Sequence, residues 1–316
     1  MALKGFGARG LLLAPLVAAV LGGTPDSGWA QAWVPAKGEG YVSAVYSNVF
    51  SDTHYLPTER HDLGRIDSHV FLLDTTYGIT DRIAVSVSIP LIMTRYTGHH
   101  AHPGTESTVM DDGSWHSTFQ DFRFSVRYNA VRGRTVITPF IGSAVPSHKY
   151  EYWAHSAAGR RLGELHAGLA AARLLDRITP GLFVQGRYSY VFPQRVVDEG
   201  LDLRPRRSNA DLEIGYFVTP SFSVAALAAA QVTHRGIDLP PPGVENPLTA
   251  VQRKHHDQIA RENFLNVGIS AAFELNQSIA VHGSFLRQVA GRNNHQVGRA
   301  VSAGFTWTFG RTNDIF

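Results

Sequence analysis

Twelve stretches of this chain alternate polar and apolar residues with a period of two, and the connections between them alternate short and long. In Asp121–Asn129, the apolar residues Phe122, Phe124, Val126 and Tyr128 interleave with Asp121, Arg123, Ser125, Arg127 and Asn129. Asn209–Tyr216 repeats the pattern, with Ala210, Leu212, Ile214 and Tyr216 set against Asn209, Asp211, Glu213 and Gly215. Near the end, Val301, Ala303, Phe305, Trp307 and Phe309 interleave with Ser302, Gly304, Thr306 and Thr308. Successive side chains of a strand point to opposite faces, so each stretch has one wet face and one oily face.

The twelve stretches are 39–50, 67–77, 82–94, 118–129, 135–146, 162–174, 181–192, 208–218, 222–233, 262–274, 278–289 and 297–309. Each is close to the ~10 residues that a tilted strand needs to cross a bilayer. The connections at 78–81, 130–134, 175–180, 219–221 and 275–277 are turn-like. Those at 51–66, 95–117, 147–161, 193–207, 234–261 and 290–296 are longer and collect Pro, Gly, His and charge. This wiring predicts an all-β fold: a closed, antiparallel, up-and-down transmembrane β-barrel of twelve strands with short periplasmic turns and long extracellular loops. Closure removes the unpaired strand edges that lipid cannot hydrogen-bond. A soluble exported sandwich also alternates, but it gives no reason for every second connection to be long.

The first 32 residues predict how such a chain reaches a bacterial outer membrane. Lys4 and Arg9 form a basic start, Leu11–Gly23 an apolar run, and Ala30-Gln31-Ala32 a small-x-small cleavage site. The expected division is therefore a signal peptide over 1–32 and a barrel over 33–316. Losing Lys4, Arg9 and Asp26 takes the formal charge from +3 to +2 (3 − 2 + 1), too little to call for nucleic acid. With no Cys, the chain can build neither a disulfide scaffold nor a thiolate site.

Aromatic residues fall at both ends of the expected strands. Tyr77, Tyr128, Tyr216, Phe222, Phe273, Trp307 and Phe309 lie at the periplasmic ends, and Phe50, Phe119, Tyr190, Phe192, Phe264 and Phe285 towards the other. Two such belts are expected where rings sit at headgroup level. A terminal aromatic for the barrel-assembly machinery is supplied by Phe309 or by Phe316. Pro90 and Pro139 predict bulges or gaps in the ladder. The alanines of 225–230 blur the faces of the ninth strand.

An exported twelve-strand pattern, a Gly- and His-bearing loop feeding Phe119–Tyr128, and the Ser208–Thr219 segment together resemble bacterial outer-membrane proteins of the MetA-pathway of phenol degradation family. The likeness covers most of the mature chain as a pattern. It implies a barrel that takes up or passes small molecules, aromatic ones among them, and it carries no residue roles.

If the oily faces meet lipid, the alternate residues line the bore. That places Asp74, Arg123, Arg127, Glu164, His166, Arg187, Asp211, Glu213, Glu274 and His282 inside. Arg123, Arg127 and Arg187 are expected to face Asp211, Glu213 and Glu274 across a constriction, with the loop 95–117 as a gate. An internal salt-bridge network that fills the bore is the competing reading. The expected function is passive passage of small solutes, aromatic or anionic, without a bound cofactor. Expected partners are outer-membrane lipid and lipopolysaccharide, the barrel-assembly machinery and the solute itself.

Twelve of the fifteen histidines fall in the expected long loops. His99, His100 and His102, with Asp111 and Asp112 downstream, can converge on a divalent metal, although the spacing matches no defined zinc motif. A solvent-facing polar loop and a pH-sensitive loop are the alternatives. An outer-membrane hydrolase acting on lipid or peptide is a further alternative, but the strand histidines His69, His166 and His282 stand in no recognisable nucleophile setting.

Overall fold

The alternation closes into a cylinder. The computed structural model describes residues 32–98, 109–240 and 248–310. Its wall consists of β1 (Gly40–Tyr55), β2 (Arg60–Gly78), β3 (Ile83–Thr97), β4 (Phe122–Tyr128), β5 (Thr135–Val145) and β6 (Glu164–Leu174), then β7 (Leu182–Pro193), β8 (Arg207–Thr219), β9 (Phe222–Thr233), β10 (Asn263–Glu274), β11 (Ile279–Arg292) and β12 (Arg299–Phe309). Every neighbouring pair is antiparallel in chain order, and β1 closes the barrel by pairing with β12 from Gly40↔Phe309 to Phe50↔Arg299. No sheet edge is left for lipid to meet.

Polarity is inverted relative to a soluble domain. Tyr46, Phe71, Leu73, Ile141, Leu169, Tyr188, Ile214, Ile269, Phe305 and Trp307 point outward and are exposed. Ser43, Ser47, Thr76, Thr138, Gln185, Asn209, Ser302 and Thr306 point inward and are buried. A register slip by one residue would send the strand charges into hydrocarbon, where an Arg at the midplane costs roughly 2–4 kcal/mol. The ninth strand is regular despite its alanines, with Ser223, Leu227, Ala229, Gln231 and Thr233 inward.

Both prolines mark irregularities in the ladder. β3 pairs with a short strand, His116–Phe119, through Leu91–Thr94 and with β4 through Ile83–Ser88. Pro90 lies at the break between them, and its carbonyl accepts from the Gln120 N–H at 3.0 Å. Pro139 lies just beyond the last β5 pairing with β4, Arg127↔Phe140, where no donor is required.

The loops hold more structure than the sequence predicts. β1 and β2 continue as a hairpin to Tyr55↔Arg60, so most of the expected loop 51–66 is strand, with a bulge between Ser51 and Thr53. The connection after β7 contains a small hairpin, Val196–Asp198 with Leu201–Leu203. The connection after β9 contains two short helices, α1 (Ala250–Lys254) and α2 (His256–Ile259). Thr249 and Gln252 form a capping box on α1, which satisfies two of its first N–H groups.

Gly215 of β8 carries a packing requirement. A Cβ there would lie 2.0 Å from the Phe183 ring of β7, because that ring fills the space left by the glycine inside the barrel. Gly215→Val is expected to block folding, read as loss of the heat-modifiable band on unheated gels.

Candidate functional site: the lumen

The wall places every one of the expected interior residues on an inward-facing position. Asp74 (β2), Arg127 (β4), His166 (β6), Asp211 and Glu213 (β8) and His282 (β11) are buried there. Arg123, Glu164, Arg187 and Glu274 share the inward parity of their strands.

The bore holds a pocket lined by Asp74, Ser88, Arg123, Arg127, His166 and Arg187 among others. Arg127 Nη2 donates to Thr76 Oγ1 and Ser86 Oγ, each at 3.3 Å. Ser88 donates to the Asp74 carboxylate, which also lies in the field of all three arginines. The Arg187 guanidinium rests 4.2 Å from the centroid of the Phe140 ring, a cation–π contact that holds a charged plane in place. Three guanidiniums and the Asp74 carboxylate line this chamber, with Asp211 beside Arg187 on the adjacent strand.

Two of the acidic residues lie beside Arg187 and not across the bore from it. Arg187 and Asp211 are register partners on adjacent strands, and Gln185 donates to Glu213 at 2.6 Å one step along the same ladder. Glu274 lies in the last row of β10, opposite Ala280. Glu164 accepts from Arg207 at 2.5 Å and lies 3.2 Å from His166. Part of the expected network thus pairs locally and fills the wall, while the arginines of β4 and β7 line the open space. Both ring nitrogens of buried His282, and both amide atoms of Asn209, have no hydrogen-bond partner among the described residues. Buried polar atoms of this kind call for water.

Both mouths are narrowed. At the periplasmic end, the segment before β1 enters the bore: Ala32 and Trp33 pack against Val136, Ala170 and Ala172. Thr138 Oγ1 donates to the Ala32 carbonyl at 2.5 Å, and the Lys37 N–H donates to Asp81 at 3.0 Å. At the extracellular end, the loop between β5 and β6 turns inward. Its residues Tyr150, Tyr152, Ala154, His155, Ser156, Ala157, Ala158 and Arg160 are buried. Tyr150 and Ala158 join Val49, Val70, Ile92, Leu227 and Leu286 in an apolar cluster inside the upper barrel.

That loop fills the mouth; residues 99–108 of the expected gate 95–117 lie outside the described residues. The described part of 95–117 supports it from the side, where Asp111 accepts from the N–H groups of His155 and Ser156 at 3.0 Å and from Ser156 Oγ at 2.8 Å. A buried ion pair between Arg160 and Glu262 fastens it to the start of β10. The sequence reading missed Tyr150, Arg160 and Glu262. The run Ala154–Ala158, too rich in small residues for a wet loop, was the available signal.

The proposed metal ligands His99, His100 and His102 lie outside the described residues. Among the described residues no group of three or more His, Asp or Glu is placed to hold a metal ion. Asp112 pairs with His116 at 2.9 Å. Of the strand histidines, His69 points outward with its Nδ1 2.6 Å from the Tyr46 hydroxyl, while His166 and His282 point inward.

An outer membrane channel from Pseudomonas putida F1 superposes on this barrel with a TM-score of 0.65. The chain shares that channel's fold. The match spans 88% of this chain and 98% of that one at 14% identity. The NanC porin superposes at a TM-score of 0.50 and 10% identity, covering 84% of this chain and 98% of the porin. No family model and no curated relative matches the sequence. The barrel that the family resemblance implies is thus present, carried by fold likeness.

Proposed function

We propose that the protein is an outer-membrane channel through which small solutes, anionic or aromatic, pass down their gradient. The observation that carries this reading is a chamber lined by Arg123, Arg127 and Arg187 in a bore with a greasy outer wall. A fixed positive lining in a narrow pore raises the local concentration of anions and lowers that of cations. Phe140 packs under Arg187 and holds that guanidinium plane in the lining, where it can meet a carboxylate. Solved channels with the same fold support the class of function. In this reading Asp74, Glu164, His166, Asp211, Glu213 and Glu274 set the field and the width of the bore, and no cofactor takes part.

The outer membrane is the proposed location, reached by cleavage after Ala32. Trp33 would then be the mature N-terminus, at the place where the chain enters the periplasmic mouth. Edman sequencing of the protein from outer-membrane fractions tests this, and a start elsewhere overturns it.

Planar-bilayer recording tests the channel. Discrete conductance with anion preference is expected for the wild type. Arg123→Ala with Arg127→Ala is expected to move the reversal potential in a salt gradient towards cation preference, by roughly a few tens of millivolts for a two-charge change in a narrow pore. An open pore whose selectivity is the same in both proteins would refute the lumen assignment. A barrel that never conducts would refute the channel.

A further inference from the structure

We propose that a row of arginines on the outside of the barrel, at the extracellular rim of β12, β1, β2 and β3, binds the phosphate groups of an outer-leaflet lipid of the lipid A type. The ladder brings the row together. Arg299 of β12 pairs with Phe50 of β1, Phe50 with Asp67 of β2, and Asp67 with Arg95 of β3. All four have the outward parity of their strands, one row of side chains across four adjacent strands. Arg65, also outward on β2, joins them by donating to both carboxylate oxygens of Asp67 at 2.7 and 2.9 Å.

The height of the row fits a headgroup. Phe309, which stacks on Tyr77, marks the periplasmic aromatic girdle. Ten residues separate it from Arg299 along β12. At ~3.3 Å per residue and a tilt of ~40°, that spans about 25 Å along the membrane normal, the height of the apolar band of such barrels. The outward residues between them, Val301, Ala303, Phe305 and Trp307, carry no charge and are exposed. The arginines therefore begin where hydrocarbon ends.

The guanidiniums are held ready. The Arg65 and Arg299 guanidinium carbons lie 5.2 and 5.3 Å from the centroid of the same Phe50 ring, and that of Arg95 lies 4.7 Å from the Trp115 ring. Asp67 takes two donors from Arg65 and one from Arg95 at 3.5 Å. Arg299 has no carboxylate partner among the described residues, so the row carries a net charge of +2 (three arginines less one aspartate). Planar guanidinium forks suit bidentate contact with phosphate. Two rows below, past Asn48, His69 and Met93, the outward residues Tyr46, Phe71 and Leu91 are placed for the acyl chains. The inference needs only a membrane-spanning barrel with its long loops outward, so it stands or falls separately from solute passage.

Native mass spectrometry of the detergent-extracted full chain with bisphosphorylated lipid A tests it. Wild type is expected to retain lipid A, with dephosphorylated lipid A held about tenfold or more weakly. Arg65→Gln, Arg95→Gln and Arg299→Gln together are expected to lose that preference. The matching triple at the periplasmic turns, Arg132→Gln, Arg134→Gln and Arg177→Gln, should keep it. Heat-modifiable gel mobility confirms that each variant is a folded barrel. Equal retention of the two lipids by wild type, an unchanged rim triple, or full displacement by millimolar inorganic phosphate in place of lipid would overturn the proposal.

Discussion

Lowering the extracellular pH from about 7.5 to about 4.5 is expected to raise the conductance of a single barrel severalfold. The cause is a stack of imidazoles inside the extracellular cap. His54, at the tip of β1 beyond the membrane, stacks on His295 of the last loop with ring centroids 4.6 Å apart and planes 14° from parallel. His155, in the loop that fills the mouth, meets His295 edge-on at 5.5 Å and stacks on Tyr96 at 4.6 Å. Three separate connections thus converge on one half-buried cluster. His61 pairs across the hairpin with His54, and His256 of α2 lies near with Asp257 as its ion partner at 3.0 Å.

Burial holds His54 down to about 3, with the neighbouring histidines adding to the shift and Asp257 opposing it. His295 is lowered for the same reasons, burial first and then His54 and His155. Burial also lowers His256, but Asp257 and the Arg253 carbonyl together more than offset it and that ring is raised. For His54 and His295 the open cap binds protons more tightly than the closed one. Their contribution to closure is therefore complete above about pH 6.5 and is lost progressively as the pH falls towards the depressed values. At about pH 4.5, His54 alone would favour opening by roughly 2–3 kcal/mol, enough to shift a closed cap by one to two orders of magnitude. His54→Asn with His295→Asn keeps polar side chains that do not titrate, and the acid step should disappear. A wild-type conductance independent of pH from 7.5 to 4.5 would end this account, as would an acid step that the double variant retains.

The wall of the barrel was legible because it depends on local chemistry repeated many times. Each strand carries its own two-residue period, and the short turns fix which neighbours pair. Even the alanine-rich β9 found its register, set by Leu227 and Gln231 and by strands on both sides. The inward parity of the lumen charges follows from the same period. What they do to one another depends on register between strands, which a single sequence does not contain. Hence Arg187 meets Asp211 on the next strand, and Glu164 meets Arg207, whose inward position at the head of β8 lay outside the expected strand. The loops were least legible. Composition marks 147–161 as long and His-bearing, but its inward turn depends on contacts with Asp111, Gln120 and Glu262, which are dozens of residues away or more.

Unfastening that inward loop should produce the largest change in the open bore. Arg160 and Glu262 are nearly inaccessible, with side chains 5% and 9% exposed. Gln231 Nε2 lies 3.4 Å from the Glu262 carboxylate, and Gln258 Nε2 donates to the Arg160 carbonyl at 2.8 Å. Removing one member of such a pair leaves the other charge buried without its counterion, which costs roughly 3–5 kcal/mol. The barrel wall does not depend on the pair, so the cost falls on the docked state of the loop, whose local opening equilibrium should rise by about two to four orders of magnitude. For Arg160→Ala the expected results are a larger and noisier single-channel conductance at neutral pH and new protease cleavage within 147–161 in intact cells. Heat-modifiable mobility should be unchanged. Replacing both residues, Arg160→Met with Glu262→Met, removes both charges at similar length and should restore much of the closed state. If Arg160→Ala leaves conductance and protease resistance as in wild type, the ion pair is not what fastens the loop. If the double replacement opens the bore as fully as the single one, lost packing, and not a stranded charge, is the cause.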